Sequence, residues 1–274
     1  MRAEIPRTTL CCIDCATREL AKRALAASLR HCRFERALLL TDQPIEAESV
    51  EVKLIEPISS GVEYSAFVLR RLVQHIETDF VLLIQWDGYV LSGAAWLPEF
   101  QSYDYIGARW SHVPGIEVGN GGFSLRSRRL LEATTAPNFD IRHPEDVAIC
   151  ITNRNLLEGA LGMRFAPGQL ADRFSYERTK EPGQQFGFHG LFNVPDFLDR
   201  HELPKFLDAW PERIAYMPEV LEFIYRYYST ERIEEARMSW QRAVQLRSQA
   251  DMQEFLRAKL TPRSMAERLI SALS

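Results

Sequence analysis

A chain of 274 residues, 46% hydrophobic and 26% charged, has enough apolar material for a large folded core, which excludes a mainly disordered protein. Its net charge of −4 argues against a nucleic-acid partner, because nucleic-acid binders carry a basic stripe. No run reaches the roughly 20 apolar residues of a membrane span, and Thr9 to Ala16 is too short for a secretory signal and is interrupted by Asp14; a cytoplasmic protein, at most peripheral at the cytosolic face of a membrane, is expected.

Thr8 to Ile13 reads as a strand, and Thr17 is placed to cap a helix from Arg18 to Arg30 with Glu19 in its first turn. Ala37 to Thr41 is a second apolar strand, closed by Asp42-Gln43-Pro44, and Val50 to Ile55 alternates with period two. Val68, Leu69, Leu72, Val73 and Ile76 recur at helical spacing, so one stripe of that helix faces a sheet. Phe80 to Ile84 is continuously apolar, the mark of a strand buried on both faces, and the strand is expected to run to Gln85. This alternation predicts a parallel sheet with right-handed crossovers, and the lack of G-x-G-x-x-G after the first strand excludes a dinucleotide fingerprint. From Trp96 to His189 the elements shorten: Tyr103 to Gly107 reads as a strand, and a loop then holds Trp110, His112, Pro114 and Gly115. After Pro195 the pattern turns helical, with helices near 217–227, 230–248 and 263–273. The expected organisation is one domain over 1–195 and a helical extension over 196–274, packed on or beside it.

The five cysteines are odd in number and three cluster in Cys11-Cys12-Ile13-Asp14-Cys15, which does not fit a secreted disulfide framework. Cys12 and Cys15 form a C-x-x-C ahead of a helix, as a redox motif does; the simpler reading is small buried residues at a strand end. A zinc site needs two further ligands that the neighbouring sequence does not offer.

Four segments carry chemistry. Gly119-Asn120-Gly121-Gly122 places three glycines and an amide in four residues, a bare backbone that permits positive φ and lets a ligand lie against the main chain. Phe123-Ser124-Leu125-Arg126-Ser127 follows, with Ser127 suited to cap a helix over Arg128 to Ala133. Pro144-Glu145-Asp146-Val147 sets adjacent carboxylates at a helix start. Upstream, the buried strand exits into Gln85-Trp86-Asp87-Gly88, at the edge where open α/β sheets place their ligands. Phe186-Gly187-Phe188-His189-Gly190 sets a histidine among glycines and aromatics.

Together QWDG, GNGGFSLRS, PEDV and FGFHG resemble the GT-A class of nucleotide-sugar glycosyltransferases, and are similar to the blocks of a little-characterised glycosyltransferase family in the same order. The second and third blocks also resemble those of the β-1,3-galactosyltransferase/fringe type, and the resemblance spans about residues 8 to 195. It implies an α/β fold: a GT-A-like, Rossmann-type mixed sheet flanked by helices, with a helical C-terminal extension. It also implies transfer of a sugar from a nucleotide-sugar donor to a saccharide or glycolipid hydroxyl, with inversion, in the setting of surface polysaccharide synthesis. Hard divalent cations prefer carboxylate and phosphate oxygens, and the class holds Mn²⁺ or Mg²⁺ on an Asp-x-Asp. Here the triplet is Gln85-Trp86-Asp87, acidic at its last position alone. The resemblance gives Asp87 the metal-ligand position, Gln85 a place at the ribose or a metal-bound water, and His189 that of the late histidine that completes the site.

Asp146 matches the base of the EDV element. Glu145 is the alternative, since neighbours on a helix point about 100° apart and one of the two is expected to face the substrate. Asn120, Gly121 and Gly122 are expected to floor the sugar site, and Asp14 to meet the donor nucleoside. Trp110 and Trp86 offer flat faces to a sugar, although the core is the commoner place for either. Arg126 and Arg109 are candidates for neutralising diphosphate, with a solvated surface as the simpler reading. Two rival functions stand beside this one. A catalytically silent GT-A-like sugar-binding or scaffolding domain is supported by the missing first Asp, and a thiol redox protein would be built on Cys12 and Cys15 with a low thiol pKa.

Overall fold

The computed structural model describes residues 2–111, 113–259 and 263–273; His112, expected in the loop after Trp110, lies outside them. The chain divides into two compact units, residues 1–189 and 190–274. In the first, a six-stranded sheet is built from β1 (Ala3–Ile13), β2 (Cys32–Thr41), β3 (Glu51–Leu54), β4 (Phe80–Ile84), β6 (Tyr105–Ile106) and β7 (Phe123–Ser127), in the order β3-β2-β1-β4-β7-β6. β1 to β4 run parallel, β7 runs antiparallel to β4, and β6 antiparallel to β7. The expected mixed α/β sheet is therefore what the chain adopts. β1 and β2 are longer than the apolar runs suggest, extending back to Ala3 and Cys32.

Helix α1 (Arg18–His31) connects β1 to β2, and α2 (Gly61–Arg70) lies between β3 and β4. Thr17 occupies the N-cap position of α1, but its hydroxyl donates to Asp14 instead of accepting from the first turn. α2 is capped by Ser60, whose Oγ accepts from the Glu63 amide, while the Glu63 carboxylate accepts from the amide of Ser59, one residue before the cap. The helix gives way to a 3₁₀ turn at Leu72–Gln74, yet the apolar stripe persists. Phe67, Val68, Leu72 and Ile76 pack with Cys11, Ile13, Leu38, Leu40, Val81 and Leu83 in one core. β4 is buried throughout.

Because β2 and β3 extend to one side of β1 and β4 lies on the other, the C-terminal ends of β1 and β4 flank a topological switch point, where such sheets bind ligands. Just beyond it, a three-stranded sheet joins β5 (Tyr89–Val90), β8 (Ser175–Tyr176) and β9 (Gly187–Phe188), in the order β5-β9-β8. Phe100, Phe123, Phe174 and Phe186 are buried together, with Phe123 and Phe174 ring centroids 5.3 Å apart and Phe174 and Phe186 5.8 Å apart. The remaining helices of this unit are α3 (Arg128–Thr134), capped by Ser127 as expected; α4 (Glu145–Val147), which widens into a π-helical turn over Ala148–Thr152; and α5 (Gly168–Phe174).

The second unit is helical: α6 (Leu203–Asp208), α7 (Glu219–Ser229), α8 (Ile233–Arg247), α9 (Gln249–Lys259) and α10 (Arg263–Leu273). Phe206, Trp210, Phe223 and Tyr227 form its aromatic centre, with Trp210 and Phe223 centroids 5.3 Å apart. α9 is absent from the sequence-based expectation, since its polar run buries few apolar side chains, Met252 and Leu256 among them. No helix among the described residues is long and apolar enough to cross a membrane.

Candidate active site

The sheet register brings the sequence blocks together. β4 and β7 are antiparallel with Ile84 opposite Phe123, so the chain leaving β4 meets the chain entering β7, and the Gln85 amide donates to the Gly122 carbonyl at 2.9 Å. In the small sheet Tyr176 is in register with Phe188 and Tyr89 with Phe188, so Glu177, His189 and Gly88 emerge side by side. Asp87, Gly122 and His189 thus reach one place from three distant parts of the chain.

His189 is the hub. Its Nε2 lies 3.4 Å from Asp87 Oδ1 and 3.1 Å from Gln85 Oε1, and its Nδ1 lies 3.3 Å from Glu177 Oε1. Burial alone pushes an imidazole pKa down, but the Asp87 and Glu177 carboxylates outweigh it and hold His189 up at about 10. The same contact lowers Glu177: burial would raise it, and the hydrogen bond and charge of His189 prevail. Asp87 is buried, and its Oδ1 has no hydrogen-bond partner among the described residues.

The glycine turn is shaped by the protein's own side chains. A Cβ on Gly121 would stand 1.9 Å from Glu145 Oε1, and one on Gly122 would stand 2.1 Å from His189 Nε2, far inside any contact distance. The room beside these backbones is taken by Glu145 and His189. The positive φ falls on Asn120, at 64°, a residue type that tolerates it. Asn120 Oδ1 accepts from the Gly122 amide at 3.1 Å, closing the turn, and its side chain also hydrogen-bonds Glu177.

The two carboxylates of α4 both reach this turn. Glu145 is buried and pairs with Arg126 at 2.9 Å. Asp146, half-buried, accepts from the Gly121 amide at 3.0 Å and from the Val147 amide at 2.8 Å. Burial first, then the Glu145 carboxylate, push the Asp146 pKa above its ordinary value. Arg126 is not on a solvated surface: it is wholly buried, with Nε donating to Ser124 Oγ at 2.9 Å and its guanidinium over the Tyr105 ring. The R of GNGGFSLRS and the E of PEDV are thus one ion pair, which ties the two segments together in the fold.

Other residues fall around this centre. Asp14 follows the last residue of β1, but its carboxylate is occupied by the Ala16 amide at 2.7 Å and by the amide and hydroxyl of Thr17. Trp110 lays its indole against Gly119, and Trp86 is buried in the core. Arg109 is tied to Asp172 at 2.6 Å. The cysteines carry free thiols; burial pushes Cys11 and Cys32 up to about 12 and raises Cys12 and Cys15 as well, the reverse of a reactive thiolate. Glu177 was not singled out by the sequence, which offers no signal for it beyond its place at the end of a two-residue strand.

No cluster of three or more His, Cys, Asp or Glu side chains able to hold a metal is present among the described residues. Asp87 Oδ1, the buried carboxylate oxygen without a hydrogen-bond partner among the described residues, and Gln85 Oε1 nevertheless lie 3.4 Å and 3.1 Å from His189 Nε2. Two oxygens and an imidazole nitrogen are donor types that a divalent cation would take up.

Fold and site together define an α/β protein with a polar, carboxylate-rich centre at the switch point of its sheet. The chain belongs to the family described as "Protein of unknown function (DUF5672)", whose model matches residues 46–189, more than half of its length. No curated protein matches it. Among solved structures, an active-site mutant of LgtC is similar with a TM-score of 0.43 and 12% sequence identity, over 68% of this chain and 86% of that one.

Proposed function

We propose that the chain is a glycosyltransferase that moves a sugar from a nucleotide-sugar donor to a hydroxyl of a saccharide or glycolipid, with inversion, in the making of a surface polysaccharide or glycolipid. The observation that carries this reading is the meeting at one sheet edge of the four blocks that resemble the GT-A class: Gln85 bonds Gly122, His189 faces Asp87 and Gln85, and Glu145 and Asp146 grip Gly121. Asp87 and His189, with Gln85 beside them, are assigned to hold Mn²⁺ or Mg²⁺, which when bound supplies positive charge to the departing diphosphate.

Asp146 is assigned the base. Glu145 is committed to buried Arg126, whereas Asp146 is half-buried, and its pKa is raised toward the range where a carboxylate takes a proton effectively. Its bonds to two backbone amides fix its direction without occupying it in an ion pair. Asn120 and the glycine turn form the floor beside it, and Trp110 at Gly119 borders that floor.

A thermal-shift screen of nucleoside diphosphates and nucleotide sugars, with and without Mn²⁺, tests the reading. A ligand at 100 times its Kd stabilises by roughly 2.7 kcal/mol. A donor that stabilises the chain more in Mn²⁺ than in EDTA and is slowly hydrolysed is the expected result. No stabilisation by any nucleotide in either condition refutes it. Gln85 in place of an acid favours the alternative of a silent sugar-binding or scaffolding domain, which predicts stabilisation with no hydrolysis or transfer.

A further inference from the structure

His189 is faced by acceptors on both sides: the Glu177 carboxylate at Nδ1, and Asp87 Oδ1 and Gln85 Oε1 at Nε2. A carboxylate accepts and cannot donate, so the proton on Nδ1 belongs to the bond with Glu177. With Nδ1 so committed, Nε2 is the nitrogen turned toward Asp87. Glu177 is itself held from a second direction by the Asn120 side chain, whose Oδ1 caps the glycine turn through the Gly122 amide. The ring also lies in the slot that Gly122 leaves open, 2.1 Å from where a Cβ would stand, so its plane is fixed by packing.

We propose that Glu177 is a positioning residue of this site, which fixes His189 with Nδ1 protonated and Nε2 directed at the Asp87 and Gln85 oxygens, and which links that orientation to the glycine turn through Asn120. It rests on the cation site assigned above. Hydrogen bonds to the far nitrogen of a ligating histidine orient the ring and raise its basicity, and their loss typically weakens metal binding about 10- to 100-fold. Glu177 sits at a strand end and is half-buried, so its replacement leaves the sheet pairing intact.

Two measurements on the full chain test this. The first is Mn²⁺ binding by calorimetry or by the spin-resonance signal of free Mn²⁺, in the presence of a saturating nucleoside diphosphate. Glu177→Ala should weaken Mn²⁺ about 10- to 100-fold, and Glu177→Gln, which keeps an acceptor for Nδ1–H, should recover most of that loss. The second is the nitrogen-15 spectrum of His189 in metal-free protein above the pH at which the ring loses its extra proton. The wild-type and Glu177→Gln chains should hold a proton at Nδ1, and Glu177→Ala should shift it to Nε2, where the Asp87 and Gln85 oxygens still accept. Equal Mn²⁺ affinity in all three chains, or an unchanged tautomer in Glu177→Ala, overturns the role given to Glu177. A wild-type chain that binds no Mn²⁺ but shows the tautomer change overturns the cation site instead, leaving Glu177 as the group that orients His189. Should Glu177→Ala not fold, Glu177→Leu with the same two readouts decides.

Discussion

Breaking the Arg126–Glu145 pair from one side should destabilise the first unit severely, and removing both charges should cost far less. Arg126 is wholly buried and Glu145 nearly so, with Nη2 and Oε1 2.9 Å apart. At an effective dielectric near 20, unit charges about 4 Å apart attract by about 4 kcal/mol. Glu145→Gln removes that attraction and leaves the guanidinium with Ser124 Oγ at 2.9 Å and the Gly121 carbonyl at 3.4 Å, and Nη1 already has no hydrogen-bond partner among the described residues. Arg126→Met keeps most of the side-chain volume but leaves a buried carboxylate beside Asp146. Each single change should therefore cost about 3–5 kcal/mol, the usual penalty for stranding one buried charge. The double variant should recover at least about 2 kcal/mol of their sum, the hallmark of direct coupling. Urea unfolding read by hydrogen exchange at the amides of β4 and β7 isolates this unit, since the two units need not unfold together. Single costs under about 0.5 kcal/mol, or costs that simply add, refute the account of the pair as a buried, mutually dependent one.

Asp146→Asn should lower transfer about 10²- to 10⁴-fold with donor binding near normal, whereas a chain whose turnover is unchanged moves the base elsewhere. Gly122→Ala should displace the His189 ring by about 1.3 Å, the gap between its 2.1 Å approach and ordinary contact at 3.4 Å; the measurable result is overpacking of about 1–3 kcal/mol and weakened Mn²⁺ binding, and a variant equal to wild type in both shows the ring is not seated there. At pH 8 the native chain should show at most one thiol reactive to an aromatic disulfide, half-buried Cys15, against five in denaturant, because burial holds the other four thiols protonated; two fast native thiols contradict this.

Much of the first unit is legible along the chain because its signals are local. The unbroken apolar run of β4 and the helical stripe from Val68 to Ile76 declare a doubly covered sheet, and Ser127 declares the start of α3. Asp87 and His189 were paired across about a hundred residues by resemblance, and the register of two sheets is what makes them neighbours. β7 alternates apolar and polar as Phe-Ser-Leu-Arg-Ser, which reads as a strand with one wet face, yet both serines and the arginine are buried. Arg126 looks like a surface residue until its partner, 19 residues on, is known to sit in the same core. Glu177 is harder still: its place beside His189 depends on a parallel pair of two-residue strands, and neither strand has a periodicity to read. Asn120 and the glycines of its turn also touch the Gly122 amide, Glu145 and His189, contacts that no local pattern names.

The reversal of β7 has a mechanical consequence. In an all-parallel sheet every segment at the ligand-binding edge is a loop on its way out, and two such loops keep their spacing through flexible stems. Here one segment departs at Gln85 while another arrives at Gly122, and a ladder hydrogen bond of 2.9 Å fastens them at the moment they pass. Sliding one strand by a single residue would carry the arriving turn about 3.4 Å along and flip its side chains to the opposite face. Such a slip is barred by the five buried residue pairs of β4 and β7. The spacing between Asp87 and the glycine turn is therefore as stiff as the sheet itself, so any opening and closing around a ligand must come from segments outside that seam.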